Sequence, residues 1–535
     1  MRRRSVLSYL VLTAMLAACF LPGPVTGQKR GLTDKRENKE PFVPGEVLVK
    51  FTDGADSLAA RSAKLSMGAE AVESLGGEMG WMRVKLPAGK TTDAAIKDYQ
   101  ALDGVEYVQP NYYYHLLLTP NDPQYLSGIN GGMYGLGKIS APAAWDLSTG
   151  SSSVVVADID TGMRYTHQDL AANAWINTGE IAGNGVDDDA NGFVDDVNGW
   201  DFRFNDSDPI DLDSGVSSAH GTHTAGTIGA VGDNLVGVVG VNWNVKLMTV
   251  KIFNNTVVDD TTSAMLVNAY AYIRMMKLRG IDIRATNNSY GGCTEACGFD
   301  QATKDGIDAM GDAGIVSVFA AGNNSGSNND SVPFYPTSYT SPSIIAVASS
   351  DSSDNRSGFS NVGPTSVDLA APGSGILSTV PTGYSTFSGT SMATPHVTGA
   401  VALLSAYRPD LSAASLKASI LNNVDVLANW NGVVKTGGRL NVFKAMQFPT
   451  VCTFNTGGNL MRVRPRGGNF RIGMTVAQNC DYSVKSNANW ITLTSSNVGS
   501  GNGTVTITVS PNAGAARTGT ISIAGQAYTI RQGRI

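Results

Sequence analysis

The sequence predicts an α/β protein: a parallel β-sheet covered by helices, preceded by a small α+β domain and followed by an all-β sandwich. Two observations support this order. The middle of the chain alternates near-continuous apolar runs with helical stretches, as a parallel sheet buried on both faces requires. The last part carries short alternating strands separated by turn residues. At 535 residues, the chain is also too long for a single core.

The composition is that of a globular protein without an excess of basic residues. The chain is 42% hydrophobic and 16% charged, and its formal net charge is −6. An acidic chain lacks the basic face that neutralises phosphates. We therefore do not expect nucleic acid among its partners.

The first residues have the pattern of an export signal. Arg2-Arg3-Arg4 precedes an apolar run, Val6–Cys19, that is too short to span a membrane. Two kinds of cleavage stay open. Leu16-Ala17-Ala18-Cys19 resembles a bacterial lipobox, in which the cysteine becomes lipidated, whereas ordinary cleavage would fall between Ala18 and Gly27.

This pattern assigns residues 1–27 to a signal peptide, of lipoprotein type under the first alternative, and residues 28–41 to a polar linker. We expect a bacterial protein that is secreted or attached to the cell envelope. A membrane would be a partner only through the lipid anchor.

Three short motifs in the middle of the chain predict a nucleophilic serine with its base and acid. Val154–Gly162 is an apolar strand that carries Asp160 at its end, and His220 opens a helix of small residues. Gly389–His396 places Ser391 at the start of a long apolar run, where helix amides favour developing negative charge. The order acid, histidine, serine is one of three chain orders of the Ser-His-Asp arrangement.

These DTG, HGTH and GTSMATPH motifs closely resemble the subtilisin-like serine peptidases, or subtilases. The resemblance covers residues 119–447 and implies the subtilisin-like parallel sheet covered by helices. It implies Ser391 as the nucleophile, His220 as the general base and then acid, and Asp160 as the orienting carboxylate. It also implies that the side chain of Asn323 and the Ser391 N–H donate to the oxyanion.

The residues beside these motifs receive other interpretations. His223 is expected to pack structurally, because the family's base is the first histidine of HGTH. Asp158 lies two residues before Asp160 on the same strand face, and we interpret it as structural or as tuning the site.

One segment resembles the strand edge that pairs with extended peptide in the family. The expected substrate contacts are Ser289, Tyr290 and Gly291.

An acidic loop inside the catalytic region predicts structural calcium. Residues 187–196 alternate acids and turn at Gly192, like the first part of an EF-hand loop, although Trp200 stands where the closing glutamate would fall. A merely solvated acidic loop is the alternative. The expected Ca²⁺ ligands are Asp187, Asp189, Asn191 and Asp195. The family resemblance implies a second calcium site formed by Asp122, Asp169 and Asn234.

Residues 42–118 resemble the inhibitory propeptide of subtilases, with a small unrelated α/β domain as the alternative. Their patterns predict strands at 47–51, 81–86 and 105–108 and helices at 55–75 and 92–102. The resemblance implies that the propeptide assists folding and occludes the cleft until it is cleaved. Processing is expected between His115 and Pro120.

Residues 452–535 predict a β-sandwich and resemble the BACON domain in three segments. These segments are Cys480-Asp481-Tyr482, Asn489-Trp490-Ile491 and Arg517–Ile521. The resemblance implies carbohydrate as a partner, while Trp490 is interpreted as a core residue rather than a sugar platform.

Four cysteines lie beyond the export signal. In an oxidising compartment, an even number of this kind predicts disulfides, and four free thiols are the alternative. The expected pairs are Cys293–Cys297 and Cys452–Cys480.

The function expected from these motifs is that of a secreted serine endopeptidase made as an autoprocessed zymogen. Its partners would be protein or peptide substrates and its own propeptide. The main alternative is an adhesion or glycan-binding protein whose catalytic domain is inactive, and peptide ligation on the same scaffold is a second. The intact triad and Asn323 argue against the adhesion protein, because binding alone needs none of them.

Overall fold

The computed structural model describes residues 42–75, 79–113, 118–128, 133–212, 219–254, 261–291 and 299–534. The predicted signal peptide and linker, the Cys293–Cys297 pair and residues 115–117 of the predicted processing region lie outside these residues. The described residues fall into two compact units, one on each side of residues 114–117.

The first unit is a four-stranded sheet with two helices. Its elements are β1 (Phe42–Phe51), α1 (Leu58–Ser66), β2 (Ala71–Leu75), β3 (Trp81–Lys85), α2 (Thr92–Gln100) and β4 (Val105–Tyr112). The strand order is β2-β3-β1-β4, and every pairing is antiparallel. Val47 and Val49 alternate on the buried face of β1 and pack in one core with Ala63 of α1 and Tyr99 of α2.

The first helix is shorter than the sequence pattern predicts. The prediction of one helix over residues 55–75 was wrong, because α1 ends at Ser66 and β2 follows it. Gly68 has a φ of +63°, the left-handed conformation in which helices commonly end. Ser57 begins the helix, since its Oγ accepts a hydrogen bond of 3.2 Å from the Ala60 N–H.

The second unit begins with the elements that hold the catalytic motifs. In chain order they are α3 (Pro123–Gly128), α4 (Tyr134–Lys138), α5 (Ala141–Trp145), β5 (Gly150–Asp160), β6 (Gly199–Asp201), α6 (His220–Gly229), β7 (Asn244–Lys251), α7 (Ser263–Leu278), β8 (Ile283–Asn288), α8 (Gln301–Asp312), β9 (Val316–Ala320), β10 (Ile344–Ser350), β11 (Leu369–Pro372), β12 (Ile376–Val380), β13 (Gly383–Phe387), α9 (Thr390–Tyr407), α10 (Ala413–Asn422), β14 (Asp425–Val426), β15 (Gly438–Arg439) and α11 (Val442–Gln447). A 3₁₀ turn lies at Ala428–Trp430.

A nine-stranded sheet forms the centre of this part, in the order β14-β15-β11-β10-β9-β8-β5-β7-β6. All neighbouring strands are parallel except β14 and β15. Helices cover both faces: Val316 and Val318 of β9 pack on the side of α9, and Phe319 packs on the side of α7 and α8. The prediction of a parallel sheet covered by helices is confirmed.

The topology brings the catalytic motifs to one edge of the sheet. Strands β5, β8 and β9 are parallel neighbours, so their carboxyl ends meet at that edge. Asp160 ends β5, Ser289 follows β8 and Asn323 follows β9. Helices α6 and α9 begin at His220 and Thr390.

The C-terminal part is a β-sandwich of two sheets, as predicted. Its strands are β16 (Leu460–Val463), β17 (Gly468–Met474), β18 (Asp481–Ser486), β19 (Ile491–Leu493), β20 (Val498–Ser500), β21 (Gly503–Val509), β22 (Arg517–Ile523) and β23 (Gln526–Gln532). One sheet has the order β16-β23-β22-β18-β20 and the other β17-β21-β19. Cys452 and Cys480 form the predicted disulfide, with their Cα atoms 5.6 Å apart.

Helix α10 joins the sandwich to the catalytic part. Ala418 is fully buried and packs in the core of the sandwich. Beside it, Lys417 Nζ lies 2.6 Å from a carboxylate oxygen of Asp481, and the two side chains are only 5% and 11% exposed. Among the described residues, no helix has both the length and the apolar character needed to cross a membrane.

Candidate active site

Asp160 and His220 form a hydrogen-bonded pair at the edge of the sheet. Nδ1 of His220 lies 2.7 Å and 2.9 Å from the two carboxylate oxygens of Asp160. Asp160 is buried at the end of β5, whereas the side chain of His220 is 30% exposed at the start of α6. The carboxylate therefore fixes Nδ1 of the ring and leaves Nε2 for other partners.

The charges around His220 favour its protonated form. Burial by itself disfavours the imidazolium, but the charge and hydrogen bond of Asp160 favour it, and Asp211 adds to this effect. The balance raises the pKa of His220 above its ordinary value. An imidazole held in this way can accept a proton and keep the resulting charge stabilised.

Ser391 lies in the first turn of α9 and is half-buried. Its Oγ donates a hydrogen bond of 3.0 Å to the carbonyl oxygen of Ser289. Among the hydrogen bonds of the described residues, none joins this hydroxyl to the ring of His220. Such a bond is often long in a protease without substrate and tightens when substrate binds.

Asn323 orients its side-chain amide toward the nucleophile. Its Oδ1 accepts hydrogen bonds from the Thr390 N–H and the Thr390 hydroxyl at 2.9 Å and 3.0 Å. These donors assign the oxygen, so Nδ2 lies on the other side of the amide. A Cβ atom built on Gly389 would lie 3.6 Å from both Asn323 Nδ2 and Ser391 N. Two donors beside one small space can stabilise an oxyanion.

The second histidine of HGTH is fully buried and packs in the protein interior. Nε2 of His223 lies 3.0 Å from the carbonyl oxygen of Ile376 and 3.2 Å from that of Ser385, and its ring stacks on Phe387. Burial, with a smaller contribution from the charge of His220, lowers the pKa of His223 to about 3. This histidine therefore stays neutral near neutral pH.

The predicted substrate segment lies against the nucleophile at its first residue. Ser289 is 5% exposed, and its Oγ donates a 2.9 Å hydrogen bond to the backbone oxygen of Ser391. Tyr290 is half-buried, with its hydroxyl 2.7 Å from that of Tyr270, and Gly291 is exposed. The segment thus runs from the serine to the protein surface.

The acidic loop brings three carboxylates together. Ligand oxygens of Glu180, Asp187 and Asp189 all lie within 4.8 Å of one another. Glu180 was not predicted, because it precedes the alternating pattern, and the backbone N–H groups of Asp189 and Asp195 donate to its carboxylate. A search for acids in the residues just before the loop would have found it.

The other two predicted ligands of this loop make different contacts. The carboxylate of Asp195 accepts the N–H groups of Asn184 and Gly185 at 3.2 Å and 2.9 Å. The amide nitrogen of Asn191 donates to Asp196 at 3.0 Å. The same nitrogen donates to Asp189 at 3.3 Å. The described structure therefore brings Asp187, Asp189 and the Asn191 amide together, whereas the Asp195 carboxylate binds the N–H groups of Asn184 and Gly185.

The second predicted calcium site is buried. Asp122 and Asp169 are fully buried, and Asn234 Nδ2 donates to Asp169 Oδ1 at 2.8 Å. Burial, assisted by the charge of Asp122, raises the pKa of Asp169 to about 6. Within the described residues, Asp122 Oδ1 has no hydrogen-bond partner. A buried unpartnered oxygen beside a second carboxylate fits a cation.

Comparison with known proteins gives three matching families. The Subtilase family model, Peptidase S8, matches residues 151–446. The fervidolysin N-terminal prodomain matches residues 29–111, and the BACON binding domain matches residues 481–532.

The relatives found by sequence comparison include several bacterial proteases. Thermitase of Thermoactinomyces vulgaris is 36% identical over 331 residues, which are 62% of this chain and 100% of the relative. A thermophilic serine proteinase of Bacillus sp. (strain AK1) is 31% identical, over 77% of this chain and 89% of its own. Subtilisin E of Bacillus subtilis (strain 168) is 32% identical, over 65% and 77%.

Proposed function

The chain belongs to the subtilase family and is a serine endopeptidase with an N-terminal prodomain, and we propose that Asp160, His220 and Ser391 form its catalytic triad. The observation that supports the triad most is the pair of 2.7 Å and 2.9 Å contacts between His220 Nδ1 and the Asp160 carboxylate. The position of Ser391 at the head of α9, beside the Asn323 amide, agrees with this proposal.

In the first half of the reaction, Ser391 Oγ attacks the carbonyl carbon of the scissile peptide bond and gives its proton to His220 Nε2. Asp160 holds the other ring nitrogen and stabilises the imidazolium. The oxyanion accepts hydrogen bonds from Asn323 Nδ2 and the Ser391 N–H. When the C–N bond breaks, His220 returns the proton to the leaving amine, and an acyl-enzyme remains on Ser391.

In the second half, water attacks the acyl-enzyme. His220 takes a proton from the water, and the same two donors stabilise the second oxyanion. His220 then protonates Ser391 Oγ as the acid product leaves. This step regenerates the free enzyme, with Ser391 protonated and His220 neutral.

Substrate recognition through Ser289, Tyr290 and Gly291 is part of the proposal. This segment continues β8 beyond its last sheet pairing and lies against the nucleophile through the Ser289 hydroxyl. Main-chain pairing with an extended peptide would accept many sequences, because it does not depend on side chains.

Calcium is proposed as a structural ion at both acidic sites. Glu180, Asp187 and Asp189 would hold it in the loop, and Asp122, Asp169 and Asn234 in the buried site. The ion would add positive charge to these clustered carboxylates, of which only Asp189 forms an ion pair among the described residues, with Arg279 at 3.1 Å. The triad would need no metal. Asn191 is proposed as a further ligand of the loop ion, as Asn234 is in the buried site, because the amide of each contacts a carboxylate of its own site.

Export, autoprocessing and binding complete the proposal. The basic and apolar start of the chain supports secretion, and the prodomain supports maturation by autoproteolytic cleavage near residues 115–120.

The BACON match supports a binding role for the sandwich, with carbohydrate as the proposed ligand. The guanidinium of Arg517 lies 4.3 Å from the centre of the Trp490 ring, so one face of that ring is already covered.

The test is to express the full chain beside Ser391→Ala and to follow both by intact mass and by casein cleavage. We expect the parent to shorten near residues 115–120 and to digest casein, and Ser391→Ala to stay long and inactive. Ser388→Ala is the matched control, because this exposed serine lies three residues away and its Oγ accepts the Gly375 N–H. Casein cleavage by Ser391→Ala would show that another residue is the nucleophile.

A further inference from the structure

A second buried carboxyl group lies behind the catalytic pair. Asp158 is 2% exposed and lies two residues before Asp160 on β5. One of its oxygens is 2.9 Å from Nδ2 of Asn287 on β8, and the other is 3.0 Å from the hydroxyl of Thr224 on α6. A single side chain therefore contacts both the strand that leads to the substrate segment and the helix that carries His220.

The hydrogen bonds of Thr224 fit a neutral Asp158. The Thr224 hydroxyl has one proton but two acceptors at 3.0 Å, the Asp158 carboxyl group and the Gly221 carbonyl oxygen. An ionised Asp158 would leave both acceptors competing for that proton. A protonated Asp158 donates to Thr224, and Thr224 then donates to Gly221, so every group is satisfied.

Burial and charge favour the same protonation state. The titratable groups that act on Asp158 among the described residues are Asp160, on its own strand, and His220, on α6. Burial, and next the negative charge of Asp160, raise the pKa of Asp158 well above its ordinary value, against a smaller opposing effect of His220.

From Asn287 the hydrogen bonds continue to the nucleophile. The second proton of its amide nitrogen goes to the Ser289 hydroxyl at 3.1 Å, and that hydroxyl donates to the Ser391 carbonyl oxygen at 2.9 Å. The amide oxygen of Asn287 accepts a bond of 3.1 Å from Thr398 on α9. Every polar atom of the Asn287 side chain is used, so its orientation is fixed.

We propose that Asp158 is a positioning residue of the protease, a neutral carboxyl group that aligns the substrate segment and Ser391 with the Asp160–His220 pair by holding Asn287. Asp158 touches no substrate and acts through Asn287 and Ser289. This inference rests on the proposed function, since it concerns the alignment of the proposed triad.

The first test compares two substitutions. Asp158→Asn keeps both hydrogen bonds. The oxygen of the new amide accepts from Asn287, and its nitrogen donates to Thr224 as the acid proton did. We expect its kcat to stay within about twofold of the parent, with an unchanged pH profile. Asp158→Ala removes both bonds, and we expect kcat to fall roughly 10–100-fold with little change in KM.

The matched control is Thr249→Val. Thr249 lies opposite Asp158 in the register of β5 and β7 and is 1% exposed. Its hydroxyl has no hydrogen-bond partner among the described residues, so its removal should leave kcat unchanged. A loss of kcat in Asp158→Asn equal to that in Asp158→Ala would overturn the inference, and so would a parental kcat in Asp158→Ala.

A second measurement does not depend on catalysis. Infrared spectra at pH 8 are compared for Ser391→Ala and for the same chain with Asp158→Asn added. The inference expects the carbonyl band of a protonated carboxyl group in the first protein and its loss in the second, and the lack of such a band overturns it. The infrared comparison does not use Asp158→Ala, so it tests the inference even if that variant fails to fold. A parent that cleaves no substrate while the band is present overturns the proposed function alone.

Discussion

Asn323 and Ser391 each place a nitrogen atom beside one space near the proposed nucleophile, the space that a side chain on Gly389 would enter. A Cβ atom on Gly389 would be in ordinary contact, at 3.6 Å, with each of the two nitrogens. The φ of Gly389 is 167°, an extended backbone that any residue adopts. Backbone conformation therefore does not require glycine here, but an oxyanion bound by these two nitrogens would.

Gly389→Ala should fold normally and lose activity. The added methyl group would occupy the space of the oxyanion, so we expect kcat to fall about 10²-fold, the magnitude known for the loss of one oxyanion donor in subtilisin, a relative of this chain. Asn323→Ala should show a similar loss. The measurement is kcat and KM on a peptide substrate. Gly358→Ala is the control, since a Cβ there would meet nothing within 4 Å. Parental kcat in Gly389→Ala would contradict the oxyanion assignment.

Activity should be lost at mildly acidic pH. The proposed reaction needs neutral His220, whose pKa is raised above the ordinary 6.5. We therefore expect kcat/KM to fall as the pH drops through a value above 6.5. The stability contributed by the charged pair with Asp160 has the opposite dependence: it is complete below pH 6.5 and is lost as the pH rises through the raised pKa.

The measurement is kcat/KM from about pH 5 to 9 at constant calcium, with the folded fraction checked by fluorescence at each point. This check separates titration of His220 from acid unfolding. An acid limb centred at or below 6.5 would mean that the carboxylates do not raise the pKa of His220.

Calcium should bind at two independent sites. Titration calorimetry on the full chain with Ser391→Ala is expected to give two ions, and Asp122→Asn and Asp189→Asn should each remove one. Chelation should lower the thermal midpoint, because the clustered carboxylates of each site would repel one another. Asp312→Asn, which changes an exposed acid of α8, is the control and should retain both ions. Unchanged stoichiometry in both site variants would contradict the assignment.

Breaking the buried ion pair at α10 should destabilise the chain strongly. The charge of Lys417 holds the pKa of Asp481 below its ordinary value even though burial acts to raise it. Lys417→Met leaves that carboxylate buried and unpaired, which costs roughly 3–5 kcal/mol of the free energy of unfolding. Urea unfolding in the Ser391→Ala background measures this loss.

Two further variants identify the cause of this loss. Adding Asp481→Leu to Lys417→Met should restore most of the stability, because no unpaired charge remains. Arg408→Met is the control: it breaks an ion pair whose acid, Asp410, is 60% exposed, and should cost about 0–1 kcal/mol. Equal losses in Lys417→Met and Arg408→Met would rule out the buried charge as the reason.

The sequence predicts the central sheet, and the places of the candidate triad residues on its elements, because each of these features depends on local pattern. The apolar run of β5 ends at Asp160, and the runs of β9 and α9 lie beside Asn323 and Ser391. Each side chain is therefore placed by the element that carries it. The family motifs then assign the roles.

What the sequence does not predict depends on contacts between distant residues. The end of α1 depends on a left-handed Gly68 and on strand pairing of β2. The partner of Lys417 lies 64 positions further along the chain, in a different domain. Likewise, Asp158 gains its contacts from Thr224 and Asn287, which only the packing of α6 and β8 on β5 brings together.

Helix α10 is a structural part of two domains at once. One of its residues fills the core of the sandwich and its neighbour forms the buried ion pair, while Leu416 and Ile420 pack in the catalytic core. A protein engineer who cuts the gene between the two domains would therefore expose apolar surface on both products. Moving this module to another enzyme would require grafting that helix face along with it.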